Sequence, residues 1–280
     1  MAYKTILAIL DTPKTAQQIT DFAIALAKTC NAHVIGLHAE AMAAVPLVAP
    51  MEIPDPATVQ ALQDMAHAET VDVEKIFRGL AEREGISFEW RSFMSSAGFS
   101  GSAIIDSART ADLVVAAQGD NAVLSESRSD LENFLFESGR PVLLVPYILK
   151  TPKPIQRVMI AWNGSREAAR ATFDALPFLK AAETVEIFCV DPADNATQSA
   201  DMAGAEIAAT LARHGVKVTM VSHTTDGLPA AAAIENRLAD SSVDLLVMGA
   251  YSHKRWWEVL FGGVTRTLLD SMTALTLLSR

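Results

Sequence analysis

Short runs of consecutive apolar residues alternate along this chain with longer segments in which Ala, Leu and Ile recur every three or four positions. The first pattern suits strands buried on both faces, and the second suits helices with one apolar stripe. KTILAILDTPKTAQQITDFAIALAK, from Lys4, is an apolar run, a polar turn and then a helix; QRVMIAWNGSREAARATFDALPFLK, from Gln156, repeats that order. GISFEWRSF at Gly85 matches GVKVTMVSH at Gly215, and each is followed by a Gly-containing loop and an alanine-rich helix. ADLVVAAQG at Ala111 matches VDLLVMGAY at Val243, and PVLLV at Pro141 corresponds to LTLLS at Leu275. The chain therefore reads as two copies of one unit. Strands continuously apolar and separated by amphipathic helices predict parallel sheets with helices on both faces.

The copies join at VPYILKTPKPIQR, where three prolines between Val145 and Arg157 make a short, stiff linker. The reading is a first domain over 1–148 and a second over 155–280. The first copy carries an extra segment, Ala41 to Ala57, whose prolines argue against a regular helix and whose Met, Val and Leu suit a loop packed on its own domain or on a partner subunit.

Composition narrows the function. A chain of 280 residues, half apolar, is long enough for two ordinary domains. Net charge of −10 and a pI near 5.1 give a field that repels polyanions, which excludes nucleic acid and anionic membrane as main partners while leaving room for one bound nucleotide. The apolar run before Asp11 is too short for a secretion signal, and no window reaches the ~18 apolar residues of a membrane span. The reading is a cytosolic protein. Cys30 and Cys189 stand without a CxxC or Cys/His cluster and read as free thiols. His33, His38, His67, His214 and His223 are scattered without metal-ligand spacing, so no metal site is assigned.

The chemistry concentrates at GAYSHKRWWEVLFGGVTRTLL, from Gly249, which follows an apolar strand and runs into a helix. Backbone N–H groups at such a turn form an anion site, because the unpaired donors and the positive end of the helix dipole point the same way. Lys254 or Arg255 would neutralise a phosphate, and Trp256 and Trp257 would anchor the loop or a subunit contact. Asp191 and Asp194 follow another strand as turn residues, or as Mg²⁺ ligands accompanying a nucleotide. Ser165 reads as the N-cap of the following helix, with Glu167 adding charge to the first turn. Nucleophile elbow, Ser/His/Asp order and Walker A motif are all missing, so an efficient enzyme is not expected and slow ATP hydrolysis ranks last.

The duplicated unit, the strand ends at Asp11 and Asn163, and Gly249-x-x-Ser252-(nine residues)-Gly262-Gly263 together resemble a tandem universal stress protein. Nucleotide-binding members of that family carry Gly-x-x-Gly-(nine residues)-Gly-Ser/Thr after the fourth strand. The resemblance implies two tandem flavodoxin-like domains, each a five-stranded parallel sheet with helices on both faces, and a ligand at the carboxyl ends of the strands. Carried over residue by residue, it implies that Ala161, Trp162, Asn163 and Val190 meet the nucleoside, and that Met248, Gly249, Ser252, Gly262, Gly263, Val264 and Thr265 form the ribose and phosphate cradle. The ligand would be ATP or another adenine nucleotide, with Mg²⁺ only alongside it.

Three departures stand out. Ser252 replaces a glycine, Gly263 replaces a hydroxyl residue for which Thr265 is a substitute, and Asn163 in place of Asp removes a charge. The first copy departs further. It has Ala117 at the first glycine position, and Asp120, Glu126, Asp130 and Glu132 where phosphates would lie. It retains Asp11, read as a turn or capping residue, and is expected to act as a structural partner. The resemblance also implies pseudo-twofold pairing of the two domains, with the strands near Val142 and Thr276 meeting antiparallel. A homodimer and an unidentified protein partner complete the expectation. The competing reading is a structural or interaction protein with both sites degenerate.

Overall fold

The computed structural model describes residues 2–42, 55–95, 101–118, 131, 133–192, 202, 204–225, 227–250 and 263–280. By contact density the chain forms two compact units: one holds 3–117 with 125–134, the other 118–124 with 135–280 and the first two residues.

The first unit is built on four parallel strands in the order β3 (Phe88–Ser95), β2 (His33–Ala41), β1 (Thr5–Ile9), β4 (Leu113–Ala117). The helices Pro13–Cys30, Pro56–Glu84 and Ser102–Arg109 make the crossovers. The second unit runs β10 (Leu275–Ser279), β9 (Leu245–Gly249), β6 (Arg157–Ala161), β7 (Thr184–Val190), β8 (Val218–His223), all parallel. On its outer side β10 receives β5 (Val142–Val145) antiparallel, Leu277 opposite Leu143, as expected for the strands near Val142 and Thr276. By sequence β5 is the last strand of the first copy; by packing it belongs with the second. The architecture is the expected α/β type.

The two copies agree down to single hydrogen bonds. Asp112 and Asp244, each just before a buried strand, turn one carboxylate oxygen on two backbone N–H groups: Lys4 at 2.7 Å and Thr5 at 3.0 Å, Gln156 at 2.9 Å and Arg157 at 2.8 Å. In this way the start of the first strand is fixed beside the fourth. Gln118 N–H donates to the Val145 carbonyl, and at the equivalent place Ala250 N–H donates to Ser279, both at 2.9 Å.

Local chemistry sets the ends. Thr12 caps its helix by accepting from Thr15 N–H, with Pro13 in the first turn, and Asn31 closes it at φ 50°. The cap is Thr12, so the expectation that Asp11 fills this role is corrected. Asp55 caps the longest helix, accepting from Ala57 and Thr58, and Pro56 starts it, because proline loses nothing at the first helical position. The expected Ala41–Ala57 loop is therefore shorter at both ends; residues 43–54 lie outside the described residues.

Core packing is tight where side chains are missing. A Cβ on Gly36, in the middle of β2, would stand 2.7 Å from the Phe77 ring, which fills that space. Phe77 is fully buried and meets Phe88 edge-on at 5.6 Å. Cys189 is buried and Cys30 half-buried; neither forms a disulfide, and burial pushes both thiols upward.

Candidate ligand crevice

In the second unit, strand order reverses between β6 and β9. From β6 the chain moves to β7 on one side, and from β9 to β10 on the other, so the loops leaving these neighbours part and leave a crevice at their carboxyl ends. Ala161 stands opposite Met248 across the ladder at its rim.

The loop after β6 is held by its own polar groups. Trp162 N–H extends the ladder to the Phe188 carbonyl at 3.0 Å. Asn163 is exposed, and its Oδ1 accepts from Ser165 N–H at 3.1 Å, an Asx turn completed by Gly164 at φ 72°. Ser165 is the N-cap as expected, its hydroxyl accepting from Ala168 N–H at 3.1 Å. The oxygen that Asn163 keeps in place of aspartate is thus already used within the turn.

Gly249 ends β9 against this helix start. A Cβ there would lie 2.5 Å from Ala168 N, 2.5 Å from Glu167 C and 2.8 Å from Glu167 Cβ. The glycine lets the amino end of the helix Arg166–Asp174 lie directly on the strand; a left-handed turn is not what requires it. Glu167 is pressed against the end of β9 by the same contact. Its side chain is only 8 % exposed, and Oε1 accepts from Arg166 Nε at 3.2 Å and Nη2 at 2.9 Å.

Val190 ends β7, half-buried. The next residue, Asp191, sits at φ 43° and binds the loop after β8: Oδ1 accepts from Thr225 N–H at 2.8 Å and Oδ2 from its hydroxyl at 2.5 Å. These bonds hold the carboxyl below its usual range. Asp191 is thus a clamp between two loops, its bonds reaching across 34 positions where a local Asx-type turn was expected. Asp194 lies outside the described residues. Trp162 points toward Gly204, where an added Cβ would be 3.8 Å from the indole Cδ1 and 3.4 Å from Cys189 Sγ.

The helix Gly263–Asp270 has Val264 half-buried and Thr265 buried. Ser252, His253, Lys254, Arg255, Trp256, Trp257 and Gly262 lie outside the described residues. The structure therefore brings Ala161, Trp162, Asn163, Met248 and Gly249 to one crevice rim, with Val190 on the next strand. Gly263, Val264 and Thr265 belong to the helix Gly263–Asp270.

Sequence reasoning missed Gln118. Its Nε2 donates to the Leu269 carbonyl at 2.8 Å, at the far end of the helix Gly263–Asp270, while its Oε1 accepts from Tyr147 N–H at 3.3 Å. No local signal marks a contact across 151 positions. A second cluster was equally hidden: Glu40 accepts from Gln63 Nε2 at 2.8 Å, His67 Nδ1 at 3.2 Å and Thr70 Oγ1 at 3.0 Å.

At the corresponding crevice of the first copy, Ala117 is buried at the end of β4, and Asp120, Glu126, Asp130 and Glu132 lie outside the described residues. His38, fully enclosed, donates from Nδ1 to the Leu10 carbonyl at 2.6 Å and stacks on Trp90. Asp11 is exposed to solvent at the end of the first strand region, and desolvation by the protein beside it raises its carboxyl to about 6, with His38 opposing the rise. Among the described residues no three His, Cys, Asp or Glu side chains gather to hold a metal ion, and no helix is long and apolar enough to cross a membrane.

Neither protein-family models nor curated proteins match the sequence. Solved structures do. A universal stress protein from Archaeoglobus fulgidus superposes with a TM-score of 0.69 over 98 % of this chain and 96 % of its own, at 14 % identity. A putative universal stress protein from Pseudomonas aeruginosa gives 0.56 over 99 % and 93 %, at 17 % identity. The fold is that of the universal stress proteins in two-domain form. On this universal stress fold, sequence divergence is deep enough that the likeness speaks for architecture, and the chemistry must come from the crevice residues themselves.

Proposed function

We propose that this chain is a tandem universal stress protein whose second copy binds an adenine nucleotide of the ATP type. Ligand binding at this crevice changes the surface offered to a protein partner. One observation carries the reading: Gly249 ends β9 at the reversal of strand order, beside the end of β6, and the helix Gly263–Asp270, with Thr265 buried, belongs to the same glycine segment. Anions are favoured at such a helix start by unpaired N–H groups and the dipole. Mg²⁺ would enter only with the nucleotide. The net charge of −10 makes this a local site in a repelling field, which disfavours polyanions while admitting a single small one.

Thermal-shift titration with ATP, ADP and AMP tests it. Ligand at 100 times its Kd stabilises the fold by ~2.7 kcal/mol, and no response up to millimolar concentration would retire the reading. A second reading, a structural or interaction protein with both crevices inactive, draws support from Gly249, whose lack of a side chain already has a packing reason, and from Asn163, whose oxygen is used in its turn. Mass spectrometry of small molecules released from the purified protein separates the two.

A further inference from the structure

We infer that Glu167, carried on the helix after β6, is the carboxylate that receives the sugar hydroxyls of the ligand, in place of the strand-end residue Asn163; this rests on the nucleotide reading above. Three facts lead there. First, the Glu167 side chain is 8 % exposed and its backbone is pressed on Gly249 at the crevice, so it is held at the junction of the two strand ends. Burying a carboxylate is costly unless its oxygens find donors. Second, the only donors it has among the described residues come from Arg166, and both go to Oε1; Oε2 receives none. Arg166 is itself 80 % exposed, and an ion pair with so solvated a partner contributes too little to explain the burial. Third, Asn163 is an uncharged, exposed amide whose oxygen already accepts from Ser165 N–H, so a further bond from it would lack charge assistance.

Oε2 is within reach of solvent beside Gly249 and is open to donors from a ligand. A phosphate there would be repelled, whereas the vicinal hydroxyls of a ribose would donate to Oε2 in charge-assisted bonds. The nucleoside is therefore placed beside Glu167 and Gly249, and the phosphates are left to the Gly263 end. Arg166 balances the charge and keeps Oε1 turned away, which leaves one oxygen for the ligand.

The test compares ATP with 2′-deoxy-ATP by thermal shift and calorimetry on the full chain and on Glu167→Gln. Glutamine keeps the length of the side chain and one acceptor oxygen but loses the charge. The wild-type chain is expected to prefer ATP by about tenfold, the scale of one charge-assisted hydrogen bond, and Glu167→Gln to narrow this to about twofold. Melting of the ligand-free variant within a few degrees of wild type shows that the fold is kept. If it melts far lower, Arg166→Gln, which leaves Glu167 in place, is expected to retain the preference for ATP. Equal affinity of the wild-type chain for ATP and 2′-deoxy-ATP, or an unchanged preference in Glu167→Gln, overturns the inference while leaving nucleotide binding intact. No response to either nucleotide in the wild type removes the nucleotide reading, and the assignment of Glu167 falls with it.

Discussion

Gly249 and Ala168 approach so closely that a single added carbon on the glycine would stand 2.5 Å from the Ala168 amide nitrogen. That contact joins the end of β9 to the first turn of the helix that leaves β6, so one residue fixes both the packing of the unit and the shape of its crevice. Gly249→Ala forces backbone against backbone, where no side-chain rotation relieves the clash. The expected cost is at least the ~1–3 kcal/mol of an overpacked core, read as a lower denaturant midpoint with an unchanged slope. A midpoint equal to wild type would mean that the strand and helix can separate freely.

Gly36 and Phe77 make a similar pair with a different outcome. Here the obstacle is a ring, 2.7 Å from the added carbon, and rings can be exchanged. Gly36→Ala should destabilise by ~1–3 kcal/mol, and Phe77→Leu should cost ~1–3 kcal/mol through lost volume. Together the two changes should cost less than their sum by ~0.5 kcal/mol or more, the coupling expected of residues in contact. A double-mutant cycle by urea unfolding measures this directly.

Asp11 predicts a pH dependence. Its carboxyl rises from an ordinary 3.8 to about 6 in the folded chain, so the folded state holds the proton more tightly than the unfolded one. The contribution to stability is present below pH 4, declines as pH rises between about 4 and 6, and is absent above. Asp11→Asn should flatten that decline in melting temperature and leave the chain at least as stable as wild type at pH 7.5. Solvent access to Asp11 makes the effect modest. An identical pH profile in the variant would mean that the folded chain holds the Asp11 proton no more tightly than the unfolded one.

Gln118 offers a test with two arms. Gln118→Glu keeps an acceptor for Tyr147 N–H but removes the donor to the Leu269 carbonyl. Amide exchange at Thr267 to Ser271 should quicken by about fivefold, matching the ~1 kcal/mol of one hydrogen bond. Gln118→Lys restores a donor and should recover most of the protection.

Much of the architecture was legible from the residues because its signals are local. Alternating strand and helix segments marked the two copies, and Ser165 is a helix start of the favoured type; the antiparallel pairing of the strands near Val142 and Thr276, which the family resemblance implied, is there with Leu143 opposite Leu277. Asp191, read as a local turn residue, instead binds Thr225, 34 positions away. Other roles were misjudged where two residues competed for one job: Thr12, with its shorter side chain beside Pro13, caps the first helix, and Asp11 does not.

Sequence alone thus determined the duplication, the order of strands and helices, and the place of the glycine segment, since each depends on spacing between neighbours in the chain. Tertiary structure decided why Gly249 lacks a side chain, that Glu167 is enclosed with one oxygen unmatched, and that Gln118 holds a helix end 151 positions away. Those facts depend on which surfaces meet after the crossovers are made. A residue's type limits the bonds it can form, and only the packed chain brings it a partner.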